Sequence, residues 1–122
     1  MFTLPASERL KGRTAVSALM KGGRWGATSG LKFCHRKGSS AGAGETPNRI
    51  LVAVPKRLFK RAVKRNLLKR RIREAYRTQK ALLKPSGHDI LFLYNTGELL
   101  DYAAIREQVG TILTTVSDEG QQ

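Results

Sequence analysis

Apolar residues along this chain fall into two short continuous runs and several stretches with alternating or helical spacing. The runs at residues 50–54 and 90–94 have the composition of strands inside a sheet. Residues 31–36 alternate in a way that predicts a further strand. Both runs are far shorter than the roughly 20 apolar residues that a membrane-spanning helix needs. The pattern therefore predicts three strands and no membrane-spanning segment.

Helical spacing predicts three helices. The first covers about residues 14–21 and ends at Gly22 and Gly23, because glycine is common where helices stop. The second can run through residues 60–84, about six turns, because that segment contains no Gly or Pro. Asp101 can cap the third helix. Its apolar face consists of Ile105, Val109, Ile112, Leu113 and Val116.

The order of these elements, α-β-β-α-β-α, predicts an α+β fold. We expect a two-layer sandwich with the helices on one face of a small mixed sheet and the other face open. A chain of 122 residues is long enough for one modest core, so residues 1–122 are expected to form a single domain. Residues 37–48, rich in Gly, Ser and Ala, predict a flexible loop, and residues 117–122 a frayed tail.

Positive charge is concentrated in the second helix. The chain has 23 Lys and Arg against 9 Asp and Glu, a net charge of +14. Residues 56–84 hold 13 of the basic residues and one acid, Glu74, a local net charge of 13 − 1 = +12. Like charges one turn apart repel, and basic residues in the first turn oppose the helix dipole. Such a helix predicts a polyanionic partner: RNA, DNA or an anionic membrane.

Projection at 100° per residue sorts this helix into two faces. An apolar stripe predicted to pack on the sheet contains Leu68, Ile72, Ala75, Tyr76, Leu82 and Leu83. The opposite arc contains Asn66, Lys69, Arg70, Arg73, Arg77, Lys80 and Lys84. Lys64 and Arg65 project nearer the apolar side, so we expect the first turn to overhang the sheet edge and leave them free for a partner. Glu74 is expected to pair with a neighbouring arginine.

The sequence offers no catalytic centre and no metal site. Its acids are scattered, His35 and His88 are isolated, and no cluster has metal-ligand or acid–base spacing. Cys34 is the only cysteine, which predicts a reducing, cytoplasmic location, and residues 1–5 do not look like a secretory signal. Three alternative functions are a general structured-RNA-binding protein of ribosomal type, a nuclease, and a membrane-surface or calmodulin-target helix.

The basic helix carries a recognisable motif. Residues 62–77 resemble the RNR signature of the bacterial ribonuclease P protein family, and residues 52–57 resemble that family's central strand ending in a basic pair. Residues at the family spacing are Ala62, Val63, Arg65, Asn66, Lys69, Arg70, Arg73 and Glu74. Spacing alone leaves RNA and DNA undecided, whereas the resemblance implies RNA.

The resemblance implies a tRNA 5′ endoribonuclease whose catalytic subunit is RNA. The protein would assist that RNA in removing the 5′ leader of precursor tRNA, with Mg²⁺ held mainly by the RNA. Its implied partners are ribonuclease P RNA and precursor tRNA, and the protein itself would be monomeric. The resemblance also implies a left-handed β-α-β crossover through the basic helix.

Two RNA-binding surfaces follow from the resemblance. The catalytic RNA would dock on Lys56, Arg57, Lys60, Arg61, Lys64, Arg65, Asn66, Lys69, Arg70, Arg73 and Arg77. The leader would lie in a cleft between the first helix and the open sheet face, lined by Val16, Met20, Phe33 and Cys34. The family commonly has aromatic residues at the positions of Val16, Met20 and Cys34. Base stacking would therefore rest on Phe33 or Trp25, or be replaced by apolar contact. Core packing is the alternative role for Phe33.

Overall fold

The computed structural model describes residues 13–37, 48–83 and 88–120. Its helices are α1 (Arg13–Gly22), α2 (Ala62–Gln79) and α3 (Tyr102–Gly120), and a 3₁₀ turn (Lys80–Leu82) follows α2. Its strands are β1 (Arg24–Ala27), β2 (Leu31–Lys37), β3 (Arg49–Ala53) and β4 (His88–Tyr94). Most of the loop predicted at 37–48, Lys84, and residues 121–122 of the predicted frayed tail lie outside the described residues.

The four strands form one mixed sheet in the order β1-β2-β4-β3. β1 pairs with β2 and β2 with β4 in antiparallel fashion, whereas β3 and β4 are parallel. Parallel neighbours need a crossover, and α2 supplies it. The predicted α+β class, the mixed sheet and the crossover through the basic helix are therefore confirmed.

β1 is a strand that the sequence pattern did not predict. It has four residues, and its Gly26 begins a segment, residues 26–30, whose composition is typical of a loop. A Cβ at Gly26 would lie 2.5 Å from the Phe33 ring, so glycine lets that ring cover the strand. The strand depends on its pairing with β2 and not on its own composition.

The two faces of the sheet carry different helices. α2 and α3 pack on the first face, here called the core face, where Phe33, Val52 and Phe92 lie in one row. α1 packs on the second face, here called the α1 face, where Leu19 covers Cys34 and Leu91. The expectation that all helices share one face is therefore wrong for α1. The reason is that Cys34 of β2 and Leu91 of β4, with Leu51 and Ala53 of β3, form an apolar patch on that face that needs a cover.

α2 is shorter than predicted. Its buried residues Leu68, Ile72, Ala75 and Tyr76 confirm the apolar stripe, but the α-helix ends at Gln79. The 3₁₀ turn that follows changes the direction of the next side chains. Leu82 is therefore 48% exposed instead of packed on the sheet, while Leu83 is buried as predicted.

α3 begins as predicted. The Asp101 carboxylate accepts a hydrogen bond from the Ala104 N–H at 2.9 Å, which confirms the cap. The apolar residues of the predicted face are all fully buried: Ile105, Val109, Ile112, Leu113 and Val116. The helix continues to Gly120, past Ser117, where fraying was expected to begin.

Candidate nucleic-acid interface

One side of α2 faces solvent and is lined with cations. Because the apolar stripe is buried in the core, the opposite side of the helix points outward. We call this side the basic arc, defined by its described members Asn66, Lys69, Arg70, Arg73, Arg77 and Lys80. All are exposed except Lys69, which is half-buried. The arc thus presents a row of positive side chains that contribute little to the core.

The turn before α2 extends the positive surface. Pro55 O accepts hydrogen bonds from the N–H groups of Leu58 and Phe59, at 3.1 and 3.4 Å. Phe59 is buried and its ring meets Tyr94 edge-on at 5.7 Å. This anchor leaves the basic residues of the turn exposed: Lys56, Arg57, Lys60 and Arg61. The first turn of α2 contains no acidic residue to offset them.

Lys64 and Arg65 differ in their environment. Lys64 is exposed, as predicted, but Arg65 is half-buried. Its Nη1 donates hydrogen bonds to the carbonyls of Phe59 and Lys60, both at 2.8 Å. The expectation that Arg65 stays free is therefore wrong, because its side chain reaches back to satisfy carbonyls of the preceding turn. These bonds use Nη1 alone, so they leave the other guanidinium donors available for a phosphate.

Arg65→Ala is expected to lower the free energy of unfolding of the free protein by about 1 kcal/mol. The substitution leaves the Phe59 and Lys60 carbonyls without their charged donor. Arg70→Ala is the matched control, because Arg70 is exposed and an exposed substitution changes stability by about 0.5 kcal/mol or less. Urea unfolding measures both values. Equal stability of the two variants would contradict the bracing role of Arg65.

Glu74 pairs with Arg77, one of the arginines proposed for it. Arg77 Nε donates to Glu74 Oε2 at 3.1 Å, and a second bond joins Arg77 Nη2 to Glu74 Oε1. The hydrogen bond from Arg77 is the main reason that the pKa of Glu74 lies below its ordinary value. Arg71 instead donates to the Leu100 carbonyl and ties α2 to the segment before α3. Glu74 and Arg71 thus both have partners within the protein.

On the α1 face the structure brings together three of the four residues predicted for the leader. Val16 is half-buried and Met20 is 47% exposed, both on α1. Cys34 lies below them but is fully buried, and its Sγ donates to the Leu19 carbonyl at 3.3 Å. Burial raises the pKa of the Cys34 thiol. Cys34 therefore supports α1 and does not reach a ligand.

Phe33 lies on the opposite side of the sheet. It is 5% exposed within the main core, and its ring stacks with His35 at a centroid distance of 6.1 Å. Successive residues of a strand point to opposite faces, so Phe33 and Cys34 cannot line one cleft. The prediction of Phe33 as a leader contact is wrong, and core packing is its role.

Among the described residues, Trp25 is the aromatic residue exposed on the α1 face. It lies directly opposite Cys34 in the β1–β2 ladder, so its side chain is on the same face as α1. The indole is 46% exposed, and its Nε1 donates to the Met20 carbonyl at 3.2 Å. Trp25 was predicted as a possible stacking residue, but β1, the strand that places it on this face, was not predicted.

Within residues 13–37, 48–83 and 88–120, no group of three or more His, Cys, Asp and Glu side chains could hold a metal ion. In the same part of the chain, no helix is long and apolar enough to cross a membrane.

Similar proteins agree with the motif in α2. The family model described as "Ribonuclease P" matches residues 4–117. The "Ribonuclease P protein component" of Porphyromonas gingivalis (strain ATCC 33277) is 33% identical over 95% of this chain and 88% of that protein. The protein of the same description from Synechococcus sp. (strain JA-2-3B'a(2-13)) is 36% identical over 99 residues, 81% and 72% of the two chains.

Solved structures share the fold. The RNase P protein from Thermotoga maritima superposes with a TM-score of 0.74 at 25% identity, covering 88% of this chain and 96% of that one. The Staphylococcus aureus RNase P protein gives a TM-score of 0.75 at 21% identity, with 89% and 94% coverage. At that identity the second comparison supports the fold alone.

Proposed function

This chain belongs to the ribonuclease P protein family, and from that premise we propose that it assists ribonuclease P RNA in maturing the 5′ end of precursor tRNA. As a ribonuclease P protein component it has that RNA as its partner. The proposal adds that precursor tRNA is the substrate, that the RNA performs the hydrolysis and that the protein positions RNA. The observation that carries it is the sorting of α2 into a buried apolar stripe and an exposed basic arc.

The basic arc is suited to phosphate recognition. Arginine offers a planar fork of donors to phosphate oxygens, and lysine a mobile point charge. The major groove of an RNA helix is too deep and narrow for an α-helix to read bases, so the arc would recognise shape and backbone. Asn66, which is exposed and neutral, can both donate and accept, and it suits a 2′-hydroxyl or a base edge.

Magnesium belongs to the RNA in this proposal. Mg²⁺ prefers several oxygen ligands, usually carboxylates together with phosphates and water. Glu74 is the one acid among residues 56–84, and its carboxylate is paired with Arg77. The residues of the basic arc therefore do not fit a protein-held Mg²⁺. Phosphodiester hydrolysis would be performed by the RNA, and the protein would position RNA through its charged surface.

The 5′ leader is proposed to bind the α1 face. Val16 and Met20 are accessible there, and α1 and β2 also carry the exposed cations Lys21 and Lys32. Phe33 and Cys34 are not part of this surface. The protein is proposed to act as a monomer apart from the RNA, in the cytoplasm, where its single cysteine would stay reduced.

Reconstitution tests the proposal. Cleavage of leader-bearing precursor tRNA is measured with RNA alone, RNA plus protein, and protein alone, at low and high magnesium. We expect the protein to lower the magnesium and substrate concentrations that the RNA needs, because its cations offset phosphate repulsion. Protein alone should be inactive, and polylysine at equal charge controls for nonspecific screening.

The alternative is a general structured-RNA-binding protein of ribosomal type, which would bind RNA without changing cleavage. No effect of the protein beyond that of polylysine would favour this alternative. Cleavage by the protein alone would instead support a nuclease and overturn the proposal.

A further inference from the structure

We infer that Glu74 is a specificity-determining residue: its carboxylate marks the border of the basic arc and keeps RNA off α3. The inference rests on the proposed function and adds what limits the RNA contact. Residues 56–84 hold 13 basic residues, and contacts between cations and phosphates carry no sequence information. Such a surface binds RNAs of many kinds unless something repels misplaced phosphates.

Glu74 lies at the edge of the basic arc that faces α3. On a helical projection it is about 40° beyond Arg70, the last cation of the arc on that side. Thr78, one turn after Glu74, already faces α3, because its hydroxyl lies 3.3 Å from the hydroxyl of Tyr102. Glu74 is therefore placed between the cations of α2 and the third helix.

The surface beyond Glu74 is acidic. Residues 98–119 contain five acids and one basic residue, Arg106, a local net charge of 1 − 5 = −4. Arg71 Nη1 donates to the Leu100 carbonyl and holds the start of this segment beside α2. Gln79 Nε2 donates to the Arg106 carbonyl at 2.8 Å and does the same one turn later. An RNA that spread from α2 onto α3 would therefore meet negative charge. The exposed acids around these two bonds are Glu98, Asp101 and Glu107.

Arg77 holds the Glu74 carboxylate at this border. Its Nε donates to Glu74 Oε2 at 3.1 Å, and its Nη2 bonds the other carboxylate oxygen. The hydrogen bond from Arg77 also lowers the pKa of Glu74, so the carboxylate is charged at neutral pH. The Glu74 and Arg77 side chains are 37% and 40% exposed, and exposed ion pairs contribute little to stability. Stability therefore does not explain the one acid of a segment that is otherwise basic.

The border acts over a short range. Charges at a protein surface are screened within about 10 Å at about 0.1 M salt, so Glu74 and the acids of α3 repel only phosphates that come close to them. An RNA whose phosphates follow the basic arc avoids this repulsion. An RNA that binds rotated towards α3 does not, and like charges in contact weaken binding. The arc thus supplies the attraction, and the border selects the orientation.

Binding of two RNAs tests the inference. Ribonuclease P RNA is compared at about 0.1 M salt with a plain RNA duplex, which offers phosphates without the cognate fold. Glu74→Gln removes the charge and keeps the shape of the side chain. It should increase the affinity for the duplex about three- to fivefold more than the affinity for ribonuclease P RNA, the size expected for one like-charge contact in water. Asp118→Asn is the matched control, because it removes the same charge from an exposed residue at the far end of α3, and it should leave the ratio of affinities unchanged.

A second background separates the carboxylate from its partner. Glu74→Gln also weakens the hold on Arg77, so the comparison is repeated with Arg77→Ala. The loss of discrimination should persist there, because it comes from the missing negative charge. Its disappearance would mean that the released arginine binds the duplex, and it would overturn the inference.

A tethered probe measures the orientation directly. Thr111 is exposed on α3, and the one native cysteine, Cys34, is buried, so Thr111→Cys can carry an iron–EDTA source of hydroxyl radicals. In the reconstituted complex this probe should cut ribonuclease P RNA little. Combined with Glu74→Gln, Asp101→Asn and Glu107→Gln, it should cut the RNA at new positions, because RNA can then reach α3. Asparagine also caps helices, so Asp101→Asn keeps the start of α3.

Several outcomes would overturn the inference while leaving the proposed function intact. Strong cutting from Thr111→Cys with the native border would do so without any border variant. So would an unchanged ratio of affinities in Glu74→Gln, or an equal change in Asp118→Asn. In each of these cases the protein would still lower the magnesium requirement. Loss of that stimulation in the wild-type protein would instead refute the proposed function.

Discussion

Replacing Arg70 and Arg73 with alanine is expected to weaken binding to ribonuclease P RNA about fiftyfold at about 0.1 M salt. Both side chains are exposed on the basic arc, one helical turn apart. Each phosphate contact contributes about 0.9 to the slope of log K against log salt concentration. At about 0.1 M salt, the loss of one contact therefore lowers the binding constant by about a factor of eight. The double variant should therefore lower the slope by about two units. Binding measured over a series of salt concentrations gives both quantities.

Arg106→Ala is the matched control for a single lost charge. Arg106 is exposed on α3, outside the basic arc. Its loss should leave the salt slope unchanged and change the free energy of unfolding by about 0.5 kcal/mol or less. Urea unfolding of each variant checks that it is folded. An unchanged slope in the double variant would remove Arg70 and Arg73 from the interface. An equal effect of Arg106→Ala would mean that net charge, and not the arc, sets affinity.

Phe92→Ala is expected to lower the free energy of unfolding by about 3–5 kcal/mol. Phe92 is fully buried on β4, between Phe33 and Val52 in the sheet, and its ring lies 6.4 Å from that of Tyr76 on α2. The substitution removes the ring and leaves a cavity beneath the basic helix. Because small domains are stable by about 5–15 kcal/mol, the loss is a large part of the total.

Phe92→Leu is the control, since it keeps most of the volume and should cost about 1.5 kcal/mol or less. Urea unfolding of the free protein compares the two variants. Ribonuclease P RNA should raise the melting temperature of Phe92→Ala, because a ligand that binds only the folded state stabilises it. A loss below about 1 kcal/mol in Phe92→Ala would contradict the close packing of this site.

Much of the main core could be predicted from the sequence because its signals are local. The apolar spacing that ends at Val116 was sufficient to identify the buried face of α3. The same argument separated Leu68 and Ile72 from the exposed arginines of α2. These predictions succeed because a helix maps sequence spacing directly onto direction in space.

The predictions that failed depend on contacts between distant parts of the chain. β1 exists through its pairing with β2, and the position of α1 depends on which residues the sheet leaves uncovered. Arg65 was expected to be free, but it bonds to carbonyls of the preceding turn. A helical projection contains no information on those carbonyls. The pairing of Phe33 with Cys34 in one cleft fails for a local reason, because adjacent residues of a strand face opposite sides of the sheet.

The placement of α1 and α2 on opposite faces of the sheet gives the protein two surfaces that do not overlap. A ligand on one surface leaves the other accessible, so the molecule can be bivalent. Suppose that the basic arc holds one RNA and that a second RNA segment is attached to the same assembly. The concentration of that segment at the α1 face is then set by the length of the connecting chain, and not by its concentration in solution. Weak contacts on the α1 face would then be sufficient to hold the second RNA segment there.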